Sequence, residues 1–188
     1  MRNLSRFIFW LIRWKAVDEA PPDIDKAVLL VAPHTSNWDF PIGRLYAWIA
    51  KIPIRFLIKK ELYFWPLGPI LDKLGGVPVD RKKSRNTVDV VADLFNEYDR
   101  IYIAVTPEGT RKLSKDWKKG FYFIAHKANV PILLSFIDYK HRIVGMGKPL
   151  KTSGDIDADM EKIKDFYRDK NAKHPEKFSL SQKHKVMR

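Results

Sequence analysis

Short apolar runs alternate with helix-like segments through the middle of the chain, and this alternation constrains the fold more than any other feature. The runs lie in KAVLLVA, IPIRFLIKK, RIYIAV and VPILLSFIDY. Continuous apolar stretches of this length are typical of strands buried on both faces. Helical periodicity follows most of them, as in WDFPIGRLYAWIA and RNTVDVVADLFNEY. We therefore predict an α/β fold with a mostly parallel central sheet flanked by helices.

Length and charge narrow the class of protein further. The 188 residues are most simply one domain, and the formal net charge of +13 predicts an anionic partner. That partner could be a nucleic acid, an anionic membrane surface or a phosphorylated substrate. The chain contains no cysteine, which excludes disulfides, zinc–thiolate sites and a cysteine nucleophile.

The N-terminus, MRNLSRFIFWLIRWK, predicts an amphipathic helix over residues 1–17 that lies in a membrane interface. Its apolar block is flanked by arginines and carries two tryptophans, which suit the headgroup region. No apolar run reaches the roughly 18 residues that a spanning helix needs. The alternative, a first helix packed on the domain core, stays open.

Polar clusters follow three of the predicted strands. They are His34 to Asp39, Asp80-Arg81 and Thr106 to Arg111. Ligands of open α/β sheets bind beyond the carboxyl ends of the strands. Three such loops at one edge would form a pocket from segments that are distant in sequence.

His34 and Asp39 are candidates for a catalytic dyad. A spacing of five does not place two side chains on one face of a helix. It brings them together if His34 lies in the loop and Asp39 in the first helical turn, so that Asp39 orients one ring nitrogen and leaves the other as a general base. In the alternative interpretation, Asp39 stabilises the helix N-terminus and His34 is an ordinary loop residue.

The stretch TPEGTR combines a turn glycine with a carboxylate and a guanidinium. Gly109 permits backbone angles that other residues avoid, and Arg111 is well shaped for bidentate phosphate recognition. Thr110 could add a hydrogen bond. Taken alone, the stretch could equally be a β-turn with a solvated arginine, and Arg81 is equivocal in the same way.

Four blocks, in order, resemble the motifs of the glycerolipid acyltransferases, the family that includes 1-acyl-sn-glycerol-3-phosphate acyltransferase. HTSNWD resembles the H-x4-D motif, GGVPVDR the second block with Arg81 kept, TPEGTR the third and VPILLS the fourth. Thr106 replaces the usual phenylalanine, Lys112 the usual serine, and the fourth block lacks its second proline. The resemblance covers roughly Ala27 to Ser135.

The resemblance implies a role for each matched residue. His34 would be the general base and Asp39 its orienting partner, without an acyl-enzyme. The acceptor site would contain Arg81, Glu108, Gly109, Thr110 and Arg111, whereas Pro131 would shape the acyl-donor channel. No metal and no cofactor are expected beyond the acyl donor, either acyl-CoA or acyl carrier protein. The expected acceptor is a lysophospholipid, most simply 1-acyl-sn-glycerol-3-phosphate.

The resulting scheme has three parts. Residues 1–17 would be the membrane-interface helix, 18–174 the acyltransferase domain and 175–188 a basic flexible tail. The expected location is the cytoplasmic face of a membrane, with peripheral or monotopic attachment.

Other functions remain possible at this level. The acceptor could be another lipid alcohol, such as a lyso amino-acid lipid, because arginines bind carboxylate as well as phosphate. A non-catalytic membrane-binding or nucleic-acid-binding protein would also be basic, although the lysines are scattered and no nucleic-acid motif is visible. A metal hydrolase is disfavoured, because no second histidine lies at ligand spacing from His34.

Overall fold

The structure is a computed structural model, and it describes residues 1–18, 23–79 and 87–180. The helices are α1 (Arg2–Leu11), α2 (Asp39–Ala50), α3 (Leu67–Lys73), α4 (Thr87–Glu97), α5 (Gly120–Ala128) and α6 (Ile156–Tyr167). The strands are β1 (Lys15–Asp18), β2 (Lys26–Val31), β3 (Ile54–Lys59), β4 (Gly76–Val79), β5 (Ile101–Val105), β6 (Ile132–Asp138) and β7 (Ile143–Leu150).

The described strands form one seven-stranded sheet in the order β1-β7-β6-β2-β5-β3-β4. Every neighbouring pair is parallel except β6 and β7, which are antiparallel. The predicted α/β fold with a mostly parallel, helix-flanked sheet is therefore confirmed.

Strand β2 lies at the centre of the sheet, and both of its faces are covered. Leu29 and Ala27 pack on the α2 side, whereas Val28 and Leu30 face the core formed with α4, α5 and α6. All four are at most 1% exposed. Because consecutive apolar residues of a strand point to opposite faces of the sheet, the run of residues 27–31 suits a strand covered on both sides.

The N-terminal segment differs from the prediction of one helix over residues 1–17. Helix α1 ends at Leu11, Arg13 adopts a left-handed φ of 57°, and the following residues form β1 alongside β7. The edge of β7 provides unpaired backbone groups for this pairing, which a helical continuation could not use.

Helix α1 has two apolar sides. Phe9 is buried in the core shared with α2, as the packed alternative expected. The other side is exposed, and Phe7 stacks there on Trp10 at 5.9 Å between ring centroids. Within the described part of the chain, no helix has the length and apolar character needed to cross a bilayer.

The first residues of the predicted flexible tail pack on the domain. Pro175–Lys177 form a 3₁₀ turn, and the Phe178 ring lies 6.3 Å from that of Trp117. The packed chain therefore extends to residue 180, because Phe178 and Leu180 provide apolar contacts that a basic composition concealed. Residues 181–188 lie outside the described residues.

Candidate active site

His34 and Asp39 meet across the loop that joins β2 to α2. The Nδ1 atom of His34 lies 3.0 Å from Oδ2 of Asp39, and the two side chains are 20% and 3% exposed. Asp39 is the first residue of α2, so the loop folds the imidazole back onto the helix start, as the spacing predicted. Trp38 occupies the cap position of α2, and Ser36 Oγ accepts the Trp38 N–H at 3.2 Å.

Four donors surround the Asp39 carboxylate. Besides His34, the backbone N–H groups of Thr35 and Ser36 each donate to Oδ2 at 3.0 Å. The hydroxyl of Tyr139 donates to Oδ1 at 2.7 Å. Burial alone would raise the pKa of Asp39, but the hydrogen bonds from His34, Tyr139 and the backbone outweigh it and hold that pKa below its ordinary value. Asp39 is therefore ionised and able to accept the His34 Nδ1–H.

Glu108 lies in the loop after β5 and supports His34 from the other side. It is 2% exposed, and its Oε1 accepts the backbone N–H of His34 at 2.9 Å. No group in the described part of the chain hydrogen-bonds Oε2. Burial raises the pKa of Glu108, although hydrogen bonds from its own backbone and from His34 oppose the rise. The structure thus joins the first and third sequence blocks through one hydrogen bond.

Gly109 turns the chain immediately after Glu108. Its φ is +64°, and a Cβ there would approach the side chain of Lys118 within 2.9 Å, so a larger residue would be both strained and crowded. Thr110 is exposed, and its hydroxyl accepts the Lys112 N–H at 3.2 Å. The exposed side chain of Arg111 follows and borders two openings beside the dyad loop.

A cavity of about 650 Å³ opens beside the dyad and continues toward α2 and the sheet. Its walls include His34, Asp39, Phe40, Gly43, Ala47, Ile54, Phe56 and Arg111. Most of this lining is apolar, so the general-base candidate lies at the wall of a space suited to a hydrocarbon chain. We refer to it as the apolar cavity.

A second, more polar cleft of about 430 Å³ lies on the other side of the His34 loop. It is lined by Thr35, Ser36, Asn37, Trp38, Arg111, Lys112, His174 and Lys177. We refer to it as the basic cleft. Arg111 borders both openings, which places one guanidinium between an apolar space and this basic cleft.

A comparison with protein families gives one match, described as Acyltransferase, over residues 12–134. The chain belongs to the acyltransferase family. The matched stretch includes both members of the dyad, Glu108 and Arg111, and ends shortly before the carboxyl end of β6.

This member of the acyltransferase family is similar to a curated protein and to a solved structure. The 1-acyl-sn-glycerol-3-phosphate acyltransferase of Streptococcus pneumoniae (strain ATCC BAA-255 / R6) is 32% identical over 138 residues, which are 71% of this chain and 51% of that protein. The chain thus spans about half the length of that curated relative. The crystal structure of the 1-acyl-sn-glycerophosphate (LPA) acyltransferase PlsC from Thermotoga maritima matches with a TM-score of 0.59 at 19% identity, covering 86% of this chain and 74% of that one. That likeness shows a shared fold.

The structure does not bring every predicted site residue of this family member to the dyad. Pro131 precedes β6, and its carbonyl accepts the Val28 N–H. It therefore lies at the amino-terminal end of these strands, whereas His34 follows the carboxyl end of β2. Arg81 lies outside the described residues, as does its neighbour Asp80. The predicted substrate roles of Arg81 and Pro131 stay predictions.

Tyr139 and His174 were not predicted, yet both contact the dyad loop. Tyr139 follows β6 directly, and the His174 N–H donates to Thr35 Oγ1 at 3.2 Å. A signal for Tyr139 was present in the sequence: it is a polar side chain at the carboxyl end of a strand, as are the three clusters that were recognised. His174 follows a helix at the far end of the chain, and no local pattern indicates its position.

Proposed function

We propose that this protein transfers a fatty acyl group from a thioester donor to a hydroxyl group of a lysophospholipid, with 1-acyl-sn-glycerol-3-phosphate as the acceptor. One observation carries the proposal: a histidine oriented by an ionised aspartate lies at the wall of an apolar cavity. The activities for which the two similar proteins are named agree with it.

The reaction needs a base that removes the acceptor proton. His34 is suited to this role because Asp39 holds Nδ1 and leaves Nε2 as the ring nitrogen for the substrate hydroxyl. The hydroxyl oxygen attacks the thioester carbonyl as its proton passes to Nε2. The C–S bond then breaks, and the leaving thiolate takes that proton from the imidazolium. No acyl-enzyme is required, and the chain has no cysteine that could form one.

The two openings match the two ends of an amphiphilic substrate. The apolar cavity accepts an acyl chain, while the basic cleft and Arg111 provide cations for a phosphate. No carboxylate pairs with Arg111 among the described residues, so its guanidinium is available for an anionic headgroup. This arrangement favours an acidic lipid over a neutral alcohol as acceptor.

The exposed side of α1 supports attachment to an anionic membrane surface. Leu4, Phe7, Trp10 and Leu11 are each more than half exposed, and Arg2, Arg6 and Arg13 accompany them. An exposed apolar face bordered by arginines is the pattern of an interfacial helix. The proposed location is the surface of the membrane that contains the lipid acceptor.

The deciding experiment measures thiol release from palmitoyl-CoA and from palmitoyl carrier protein. Lysophosphatidate, a neutral lysolipid and a lyso amino-acid lipid would be supplied as acceptors to wild type, His34→Ala and the control His126→Ala. His126 is on α5, where its ring contacts Thr152.

We expect lysophosphatidate-dependent release that falls by about 10²- to 10⁴-fold in His34→Ala and persists in the control. Absence of release with every acceptor would overturn the proposal. Equal activity of His34→Ala and wild type would overturn the role of the dyad, and release only with the amino-acid lipid would reassign the acceptor.

A further inference from the structure

The Asp39 carboxylate is held on both of its oxygens, and only one of them serves His34. Oδ2 accepts from His34 Nδ1 and from two backbone N–H groups, whereas Oδ1 accepts from the Tyr139 hydroxyl at 2.7 Å. We propose that Tyr139 is a positioning residue that fixes the orientation of Asp39 and, through it, of the His34 ring. This inference rests on the proposed acyl transfer, to which it adds a residue.

Tyr139 contacts residues from both the N-terminal and the C-terminal parts of the chain. Its N–H donates to the Asn171 carbonyl at 2.9 Å, and its ring meets that of Trp14 edge-on at 5.3 Å between centroids. The ammonium of Lys173 lies 5.8 Å from the Tyr139 centroid. These contacts hold the ring so that its hydroxyl is aimed at Asp39.

The neighbouring residue strengthens this scaffold. Asp138 accepts the side-chain N–H of Asn171 at 3.1 Å and the backbone N–H of His141 at 3.0 Å. Asn171 thereby ties the segment after α6 to Asp138 and to Tyr139. Tyr139, Asn171 and Lys173 all lie beyond the stretch matched by the family, residues 12–134. These contacts around Tyr139 therefore lie outside the four motif blocks.

The Tyr139 bond restricts the orientation of the Asp39 carboxylate. Rotation of the Asp39 carboxylate about its Cβ–Cγ bond moves both oxygens, so the Tyr139 bond at Oδ1 adds a further charge-assisted hydrogen bond that such a rotation must break, besides those at Oδ2. Burial raises the pKa of Asp39, and the hydrogen bond from Tyr139 helps that from His34 to hold this pKa below its ordinary value. Burial and the Asp39 carboxylate raise the pKa of Tyr139 far above its ordinary value. The phenol therefore stays protonated, and remains a hydrogen-bond donor, over the pH range in which activity would be measured.

The test compares Tyr139→Phe with Tyr122→Phe. The phenylalanine at 139 keeps the ring that contacts Trp14 and removes only the hydroxyl. Tyr122 is a matched control, because its hydroxyl also donates to a buried aspartate, Asp159, at 3.0 Å, but this pair packs on α5 and α6. Steady-state kinetics and thermal unfolding would be measured for both variants.

We expect Tyr139→Phe to lower kcat by about tenfold while KM changes by less than about twofold, because the bond orients the base and touches no substrate. In an Asp39→Asn background the same substitution should cost almost nothing further, since its effect acts through Asp39. An equal loss in both backgrounds, or unchanged kcat, would overturn the proposal.

A second measurement does not depend on turnover. The Nδ1–H proton of His34, held by Asp39, should give a sharp downfield NMR resonance in wild type and in Tyr122→Phe. In Tyr139→Phe it should broaden through faster exchange, and an unchanged resonance would overturn the positioning role. If wild type transferred no acyl group to any acceptor, the proposed function would fail, while this resonance would still decide the role of Tyr139.

Discussion

The backbone N–H of His34 donates to the buried carboxylate of Glu108 at 2.9 Å. This bond crosses from the loop after β2 to the loop after β5, two strands that are neighbours in the sheet. Glu108 is 2% exposed and bonds the main chain of His34, so it supports the loop in addition to any contact with substrate. The acceptor-binding role implied for Glu108 by the sequence resemblance stays a prediction.

Glu108→Gln is expected to change how stability depends on pH. Burial raises the pKa of Glu108 above its ordinary value of 4.5, so the folded protein binds this proton more tightly than the unfolded chain. The associated stabilisation is complete below about pH 4.5 and is lost as pH rises through the folded-state pKa. Glutamine still offers Oε1 to the His34 N–H but does not titrate.

The free energy of unfolding of wild type should therefore decline relative to Glu108→Gln as pH increases from about 4.5. Chemical denaturation at a series of pH values measures this difference, with the exposed Glu97→Gln as control. A difference between wild type and Glu108→Gln that does not vary with pH would contradict the burial argument.

Two substitutions at Gly43 should have different effects, one on the stability of the protein and the other on its preference for acyl-chain length. Gly43 lies within α2 and lines the apolar cavity, and a Cβ added there would have no heavy atom within 4 Å. Gly43→Ala should stabilise the protein by about 0.5–1 kcal/mol, because alanine loses less entropy in a helix. Gly43→Leu should fill the cavity and shift donor preference toward shorter acyl chains.

Thermal unfolding and rates with a series of acyl-CoA lengths test these two effects. Gly43→Ala is the matched control, since it gives the helix gain and leaves most of the cavity open. If Gly43→Leu retained the chain-length preference of Gly43→Ala, the acyl chain would bind elsewhere.

Arg111→Ala should raise the KM for a phosphate-bearing acceptor by about 10- to 100-fold, the effect of losing a charge-assisted hydrogen bond of about 1.5–3 kcal/mol. Arg111 borders both the apolar cavity and the basic cleft. Lys115→Ala is the control, because Lys115 is an exposed cation of the same loop that lines neither opening. An increase confined to the KM of the acyl donor would assign this guanidinium to the donor instead.

Removing the exposed aromatic pair of α1 should weaken membrane binding. In Phe7→Ser/Trp10→Ser, the buried Phe9 is left in place and the domain should fold normally. Because a large apolar side chain contributes about 1.5–3 kcal/mol when buried, affinity for vesicles rich in phosphatidylglycerol should fall by at least about tenfold. Phe123→Ser, which alters a similarly exposed ring on α5, should bind as wild type does. Equal binding of all three proteins would argue against α1 as the membrane contact.

The central strands were predictable because each contains a run of mostly apolar residues. Strand β1 was not, because its sequence, KAVD, is short and follows an apolar helix without a break in composition. Its position depends on the open edge of β7, about 130 residues later, and no local pattern reports that edge. Tertiary pairing decided the structure there, not local propensity.

The dyad was predictable because its geometry depends on a short stretch of sequence and not on distant pairing. His34 and Asp39 are close in sequence, so a loop and one helical turn suffice to bring them together. The distant groups that support the dyad and its loop came from residues 108, 139 and 174, and only the first lies in a recognised motif. Tyr139 contacts Asp39 because β6 pairs with β2 in one particular register. That register cannot be deduced from the sequence alone.

The distant supports of the His34 loop have a consequence for the order of events during translation. The loop is synthesised long before Tyr139 and His174, and β2 lacks both of its sheet neighbours until β5 and β6 have been made. A nascent chain would therefore carry the whole H-x4-D motif while still unable to hold it in shape. The geometry of the dyad should therefore form only after residue 174 has been synthesised.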